Sequence, residues 1–188
     1  VDDADTRDGQ VAAWTAEQLG RVHDRPFFLA CGIFHPHLPW YTPRKYFDMH
    51  PLDQIVLPEI NEADHDDLPP IAREIALAGG DHERLAAHGK IREAVQAYLA
   101  SISFADACIG RVLDALEAGP HRDNTLVVLW SDHGWHLGDL DQWMKSTNYE
   151  RAARSPLIVS APGRLAGAAS SRLVETVDVF PTLIDLCG

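Results

Sequence analysis

Residues 124–138 read Asn-Thr-Leu-Val-Val-Leu-Trp-Ser-Asp-His-Gly-Trp-His-Leu-Gly. The first half is a short β-branched apolar run, which predicts a buried strand. The second half sets a carboxylate beside an imidazole where that strand ends. Immediately upstream, Ile91, Val95, Leu99, Ile102, Ile109, Val112, Leu113 and Leu116 recur at spacings of three and four. That spacing predicts a long helix over 89–118, stopped by Gly119-Pro120.

Working outward, residues 9–22 place Val11, Trp14, Leu19 and Val22 near a helical period, and Pro26 ends that helix. Phe27 to Phe34 is an apolar run of strand length, and a second buried strand is expected there. Residues 35–70 carry seven prolines and predict a long irregular excursion, a kind of loop that often holds function. Pro156 to Ser160 reads as a further short strand, and Val177 to Leu186 as a helix with Pro181 in its first turns. Residues 59–83 are acidic, and the stretch 50–89 is read as a surface insertion within a single unit, 1–188. Alternation of this kind predicts an α/β fold with a mostly parallel central sheet flanked by helices.

Composition narrows the function classes. With 46% hydrophobic residues over 188 positions, the chain can bury a core. Twenty-eight acidic against 16 basic residues give a formal charge of −12, which argues against a nucleic-acid-coating protein. An anionic small substrate stays compatible, because a site needs only a few local cations. The longest mainly apolar stretch, Pro26 to Ile33, is too short to span a bilayer as a helix. Cys31, Cys108 and Cys187 are widely spaced and contain no CxxC, so buried free thiols are expected rather than a thiolate zinc site.

Functional groups of a mostly parallel α/β sheet collect at the carboxyl ends of its strands. Two such ends are rich here, Phe34 to Trp40 and Ser131 to His136. Asp132 offers an oxygen to a hard cation such as Ca²⁺ or Mg²⁺. His133 offers a neutral nitrogen or a proton to a leaving oxygen, and Gly134 is expected to let the backbone turn sharply behind them. The competing reading is a capping Asp with a histidine packed on it. His37 lies between Pro36 and Pro39, which restrict its backbone, so it can bind an oxyanion or pass a proton. The alternative is a Pro-rich surface turn. Lys145, preceded by Trp143 and Met144, either meets an anion or snorkels to solvent. One carboxylate, two histidines and one ammonium suit metal-assisted attack on an anionic ester.

Taken together, PFFLACGIFHPHLP (26–39), YLASISFADACIGRVLDAL (98–116), NTLVVLWSDHGWHLG (124–138) and WMKSTN (143–148) resemble the sulfatase family. The likeness is greatest to iduronate-sulfatase-like and choline-sulfatase-like members. PLIVSAPG (156–163) and VDVFPTLIDL (177–186) continue the match in order. The resemblance implies the alkaline-phosphatase-like fold and hydrolysis of a sulfate monoester, borne by a small molecule or a glycan. It also implies one calcium ion, sometimes magnesium, and a formylglycine made from Cys or Ser. By match to the Ser-Asp-His-Gly segment, Asp132 and His133 would sit at the metal, His133 either ligating it or facing the sulfate. By match to Pro-His-x-Pro, His37 would contact the sulfate or the hydrated aldehyde. By match to Trp-x-Lys, Lys145 would hold a sulfate oxygen and the leaving oxygen. His35 has no secure counterpart, and some relatives carry Lys there. A periplasmic, secreted or lysosomal setting is common in the family.

The family's nucleophile motif, Cys or Ser followed by x-Pro/Ala-x-Arg, accompanies none of the three cysteines. Ser160-Ala161-Pro162-Gly163-Arg164 fits its spacing, but it falls where relatives have a strand followed by a Pro-Gly turn. The family's early pair of Asp ligands and its C-terminal subdomain are also unmatched. The chain is therefore read as the central-to-late part of a longer sulfatase, with the 188 residues alone expected to be inactive. Other readings are a non-catalytic module that binds anions or sulfated glycans, and a phosphodiesterase or phosphonate hydrolase of the same superfamily.

Overall fold

The computed structural model describes residues 1–61, 63–164 and 166–188. In chain order the elements are α1 (Arg7–Leu19), α2 (Arg44–Asp48), α3 (Pro70–Leu77), α4 (Asp81–Ala87), α5 (Ile91–Ala118), β1 (Val127–Trp130), β2 (His136–Leu137), β3 (Trp143–Met144), α6 (Glu150–Ala153), β4 (Leu157–Ser160) and α7 (Val179–Cys187). They fall into two compact units. One comprises Val1–Arg122 with His136–Met144, and the other Asp123–Trp135 with Lys145–Gly188.

The first unit is built on α5, against which α1 and α2 pack. Thr6 starts α1 by accepting the Gly9 N–H at 3.0 Å on its hydroxyl. The helix ends at Leu19, three residues before the predicted end, with Gly20 as its C-cap. The buried face of α1 is Asp8, Ala12, Thr15 and Leu19, at helical spacing. Trp14 and Val22, expected on the apolar face, are exposed. Small side chains win that face because α5 approaches closely with Ala100, Phe104 and Cys108. The buried Thr15 hydroxyl is satisfied by the Val11 carbonyl at 2.8 Å. A second cluster joins Ile55, Ala94, Val95 and Trp143, with Leu85 of α4 packed on it. So the 50–89 stretch contains two helices, and it contributes both exposed surface and apolar packing.

One expected strand does not form. Phe27 to Phe34 has no ladder among the described residues, and Phe28 is 82% exposed. A strand exists through hydrogen bonds to a neighbour, and no described residue supplies one here. The apolar pattern was therefore insufficient on its own.

In the second unit β1 pairs with β4, with Val127 opposite Ser160 and Trp130 opposite Leu157. This ladder and the short β2–β3 ladder are both antiparallel, so the expected parallel pairing is not among the described ladders. A parallel return needs a crossover of a dozen or more residues, usually a helix. Between β1 and β4 the longest helix is α6, of four residues, and it cannot carry the chain back along the sheet. The strands expected within 124–130 and at 156–160, the long helix and the C-terminal helix all form where the sequence places them. Among the described residues no helix is long and apolar enough to cross a membrane.

Candidate active site

His37 belongs to the first unit, whereas Asp132, His133 and Lys145 belong to the second. The two groups are described in turn.

In the first unit the loop after Phe34 is held from α1. Asp8, 3% exposed, accepts the backbone N–H of Phe34 at 3.0 Å, that of His35 at 2.9 Å, and His35 Nδ1–H at 2.7 Å. Burial pushes the Asp8 carboxyl up, but the hydrogen bonds from His35 and Phe34 outweigh it and hold the group below the ordinary carboxylate range. The His35 ring lies edge-on to Phe104 of α5, centroids 5.1 Å apart. Its Nε2 is buried without a hydrogen-bond partner among the described residues. Both the His35–Pro36 and Leu38–Pro39 peptide bonds are cis. The His37 N–H donates to the Phe34 carbonyl at 3.1 Å, and the two rings pack with centroids 5.0 Å apart. His37 Nδ1 lies 2.7 Å from the Leu38 carbonyl oxygen, so Nδ1 carries the proton and Nε2 is the basic nitrogen of the neutral ring.

In the second unit β1 is followed by Ser131, whose hydroxyl donates to the His133 carbonyl at 2.8 Å. The Asp132 side chain is 84% exposed. His133 Nδ1 lies 2.8 Å from the Gly134 carbonyl oxygen, which fixes the tautomer with the proton on Nδ1. Its Nε2 stands 3.7 Å from an Asp132 carboxylate oxygen. Gly134 is needed for space rather than for a sharp turn, since its φ is not positive. A Cβ there would overlap the Arg151 carbonyl oxygen and lie 2.6 Å from that of Arg154, at the end of α6. The Gly134 N–H donates to the Ala152 carbonyl at 2.7 Å. Thus α6 fixes the backbone directly behind Asp132 and His133. Lys145 is half-buried, between the solvated and buried extremes the sequence left open.

The donor chemistry of Asp132 and His133 fits part of a divalent-cation sphere. An exposed carboxylate and an imidazole Nε2 stand 3.7 Å apart, the imidazole oriented by the Gly134 carbonyl. Calcium wants six or more oxygens, and among the described residues no cluster of three or more ligating side chains fits a metal.

Ser160 of the spurious nucleophile match ends β4, and the Arg164 N–H closes a turn onto the Ala161 carbonyl at 3.1 Å. A strand followed by a Pro-Gly turn is what the sequence reading required for rejecting it.

Sequence reasoning missed two features. Asp8 reads locally as an acidic residue in a first helical turn, and nothing in the sequence links it to position 35. The second feature is a cavity of about 400 Å³ lined by Ile60, Asn61, His65, His82, Leu140 and Asp141. There His65 and His82 face the two oxygens of Asp141 at 3.0 and 3.6 Å. Leu140, Asp141 and Met144 have positive φ, a cost that non-glycine residues bear mostly where the surroundings over-determine them. His136 is fully buried, with Nδ1 2.6 Å from an Asp139 carboxylate oxygen.

Comparison with known proteins now bears on this geometry. The sulfatase family model matches residues 4–188. The chain belongs to the sulfatase family. It is 38% identical to a sulfatase of Formosa agariphila over 183 residues, covering 96% of this chain and 36% of that protein. It is 34% identical to human iduronate 2-sulfatase over 199 residues, covering 87% of this chain and 36% of that protein. Among solved structures, a phosphonate monoester hydrolase from Silicibacter pomeroyi superposes with a TM-score of 0.86 at 24% identity, over 99% of this chain and 38% of that one. The fold is the alkaline-phosphatase-like α/β fold of the family. The chain spans about a third of the length of these sulfatase relatives.

Proposed function

We propose that this sulfatase-family chain serves the hydrolysis of a sulfate monoester, with Asp132, His133, His37 and Lys145 as its working side chains. The observation that carries the reading is the family match over residues 4–188, a range that contains the Pro-His-x-Pro, Ser-Asp-His-Gly and Trp-x-Lys segments. Roles are assigned residue by residue from chemistry and motif. Asp132 and His133 Nε2 would hold the cation, Ca²⁺ or Mg²⁺. When bound, such an ion supplies Lewis-acid polarisation of a sulfate oxygen, and a formylglycine from outside these residues supplies the nucleophile. Lys145 offers a point charge to a sulfate oxygen and to the leaving oxygen as the S–O bond lengthens. His37, with Nδ1–H directed to Leu38, offers Nε2 to the sulfate or to a proton in transfer.

The test is steady-state hydrolysis of an aryl sulfate by the full-length enzyme and by Lys145→Ala, His37→Ala and Asp132→Ala variants. Each is expected to lower kcat by on the order of 10²–10³, as removal of one electrostatic donor does elsewhere. Wild-type turnover in all three would sink the assignment. A phosphonate monoester hydrolase is the second reading, favoured by the structural superposition. Sulfate is preferred because the relatives of higher identity are sulfatases, and parallel assays on aryl sulfate and aryl phosphonate decide between them. Absence of any turnover by the full-length protein, with retained affinity for a sulfated sugar, would favour a binding module.

A further inference from the structure

The Asp8–His35 pair is the most fully buried charged arrangement that the proposed chemistry does not use. Asp8 sits on α1, and His35 lies 27 positions along the chain. Three N–H groups converge on the Asp8 carboxylate, two from the backbone of Phe34 and His35 and one from the His35 ring. The His35 side chain is 10% exposed and that of Asp8 is 4% exposed, so solvent offers little competition for these bonds. Phe104, fully buried on α5, closes the other side of the His35 ring. His37 is then fixed from the same residues. Its N–H is donated to the Phe34 carbonyl, and its ring rests on the Phe34 ring. The His35 ring hydrogen-bonds through Nδ1, and its buried Nε2 has no hydrogen-bond partner among the described residues.

We infer that Asp8, acting through His35, is the positioning residue for His37. The inference rests on the reading of His37 given above. Buried hydrogen bonds to a charged group are among the stronger ones a protein makes, and three of them converge here to hold one loop geometry. A misplacement of about 1 Å in a working side chain can cost on the order of 100-fold in rate. Positioning of this kind acts on the transition state, so its loss lowers kcat and kcat/KM together and leaves KM nearly unchanged.

The experiment uses the full-length enzyme and p-nitrophenyl sulfate, with folding scored by circular dichroism and thermal unfolding. His35→Asn places an amide N–H close to where Nδ1–H lies and removes Nε2. His35→Leu removes both. The expected result is that His35→Asn keeps kcat within about threefold of wild type, whereas His35→Leu and Asp8→Asn lose on the order of 100-fold at unchanged KM. The double variant Asp8→Asn/His35→Leu is expected to lose no more than either single change, because both act through one arrangement. If His35→Asn falls as far as His35→Leu while remaining folded, Nε2 itself is required and the inference is overturned. Full activity in Asp8→Asn overturns it as well. Should His35→Leu fail to fold, Asp8→Asn against His35→Asn still decides. His37→Ala is the separate control. Undiminished kcat there overturns the reading of His37 itself, whereas a fall there with wild-type kcat in Asp8→Asn overturns only the positioning role.

Discussion

Replacing Gly134 by alanine should damage both stability and turnover, although it adds a single methyl group. An added Cβ would lie 2.6 Å from the Arg154 carbonyl oxygen, where ordinary contact begins near 3.4 Å. The backbone must therefore open by at least 0.8 Å there, and further at Arg151, whose carbonyl the new carbon overlaps. Both obstacles are main chain at the end of α6, so no side-chain rotation relieves them. Opening the gap also stretches the Gly134 N–H bond to the Ala152 carbonyl, now 2.7 Å. Overpacking of a tight site costs about 1–3 kcal/mol, and loss of a backbone hydrogen bond adds about 1 kcal/mol. A total near 3 kcal/mol is expected. Because Asp132 and His133 are the two preceding residues, their placement shifts with it, and kcat should fall by at least about tenfold. Urea unfolding of the full-length protein measures the first effect and aryl sulfate turnover the second. A Gly134→Ala enzyme with an unchanged urea midpoint and wild-type kcat would refute the reasoning.

Three further outcomes are expected. Phe104→Ala removes a fully buried ring between Ala100, Cys108, Tyr46 and His35, and should cost about 3–5 kcal/mol in urea unfolding; a loss below 1 kcal/mol would contradict the packing described. Burial pushes the Cys108 thiol up to about 11, so it stays protonated at neutral pH and should resist iodoacetamide until the protein unfolds; peptide mapping that finds Cys108 alkylated in the native protein at pH 7.5 would count against its burial. Asp8 is buried and Asp139 half-buried, which raises their carboxyls, yet hydrogen bonds led by His35 and His136 bring the net folded value below the unfolded one. The stability they supply is therefore complete above the ordinary carboxylate range near pH 4 and lost as pH falls through their lowered folded values. Asp8→Asn and Asp139→Asn should flatten that acid-side loss in thermal unfolding, and an unaltered pH profile would rule the linkage out.

The elements whose patterns are purely local were legible from the residues alone. Residues 89–118 carry their own helical period and their own stop, and α5 occupies Ile91–Ala118. The β-branched run before Ser131 made β1, and the Pro-Gly pair that follows Ala161 lies in a turn after β4. The segments that nominate His37, Asp132, His133 and Lys145 as candidates are local too, since each residue is singled out by its immediate neighbours. Phe27 to Phe34 misled, because apolarity supports a strand without supplying the partner that a ladder requires. The buried face of α1 misled too. Its partner α5 offered room for alanine and threonine rather than for Trp14.

What only the tertiary structure decided are relations between residues distant in the chain. Asp8 on His35, the carbonyls of Arg151 and Arg154 on Gly134, and His65 and His82 on Asp141 have no signature in spacing. Periodicity reports which way a side chain points along its own element. Which distant group it meets there is set by how the elements pack, and that packing gave Asp8 three donors and left Gly134 no room for a methyl group.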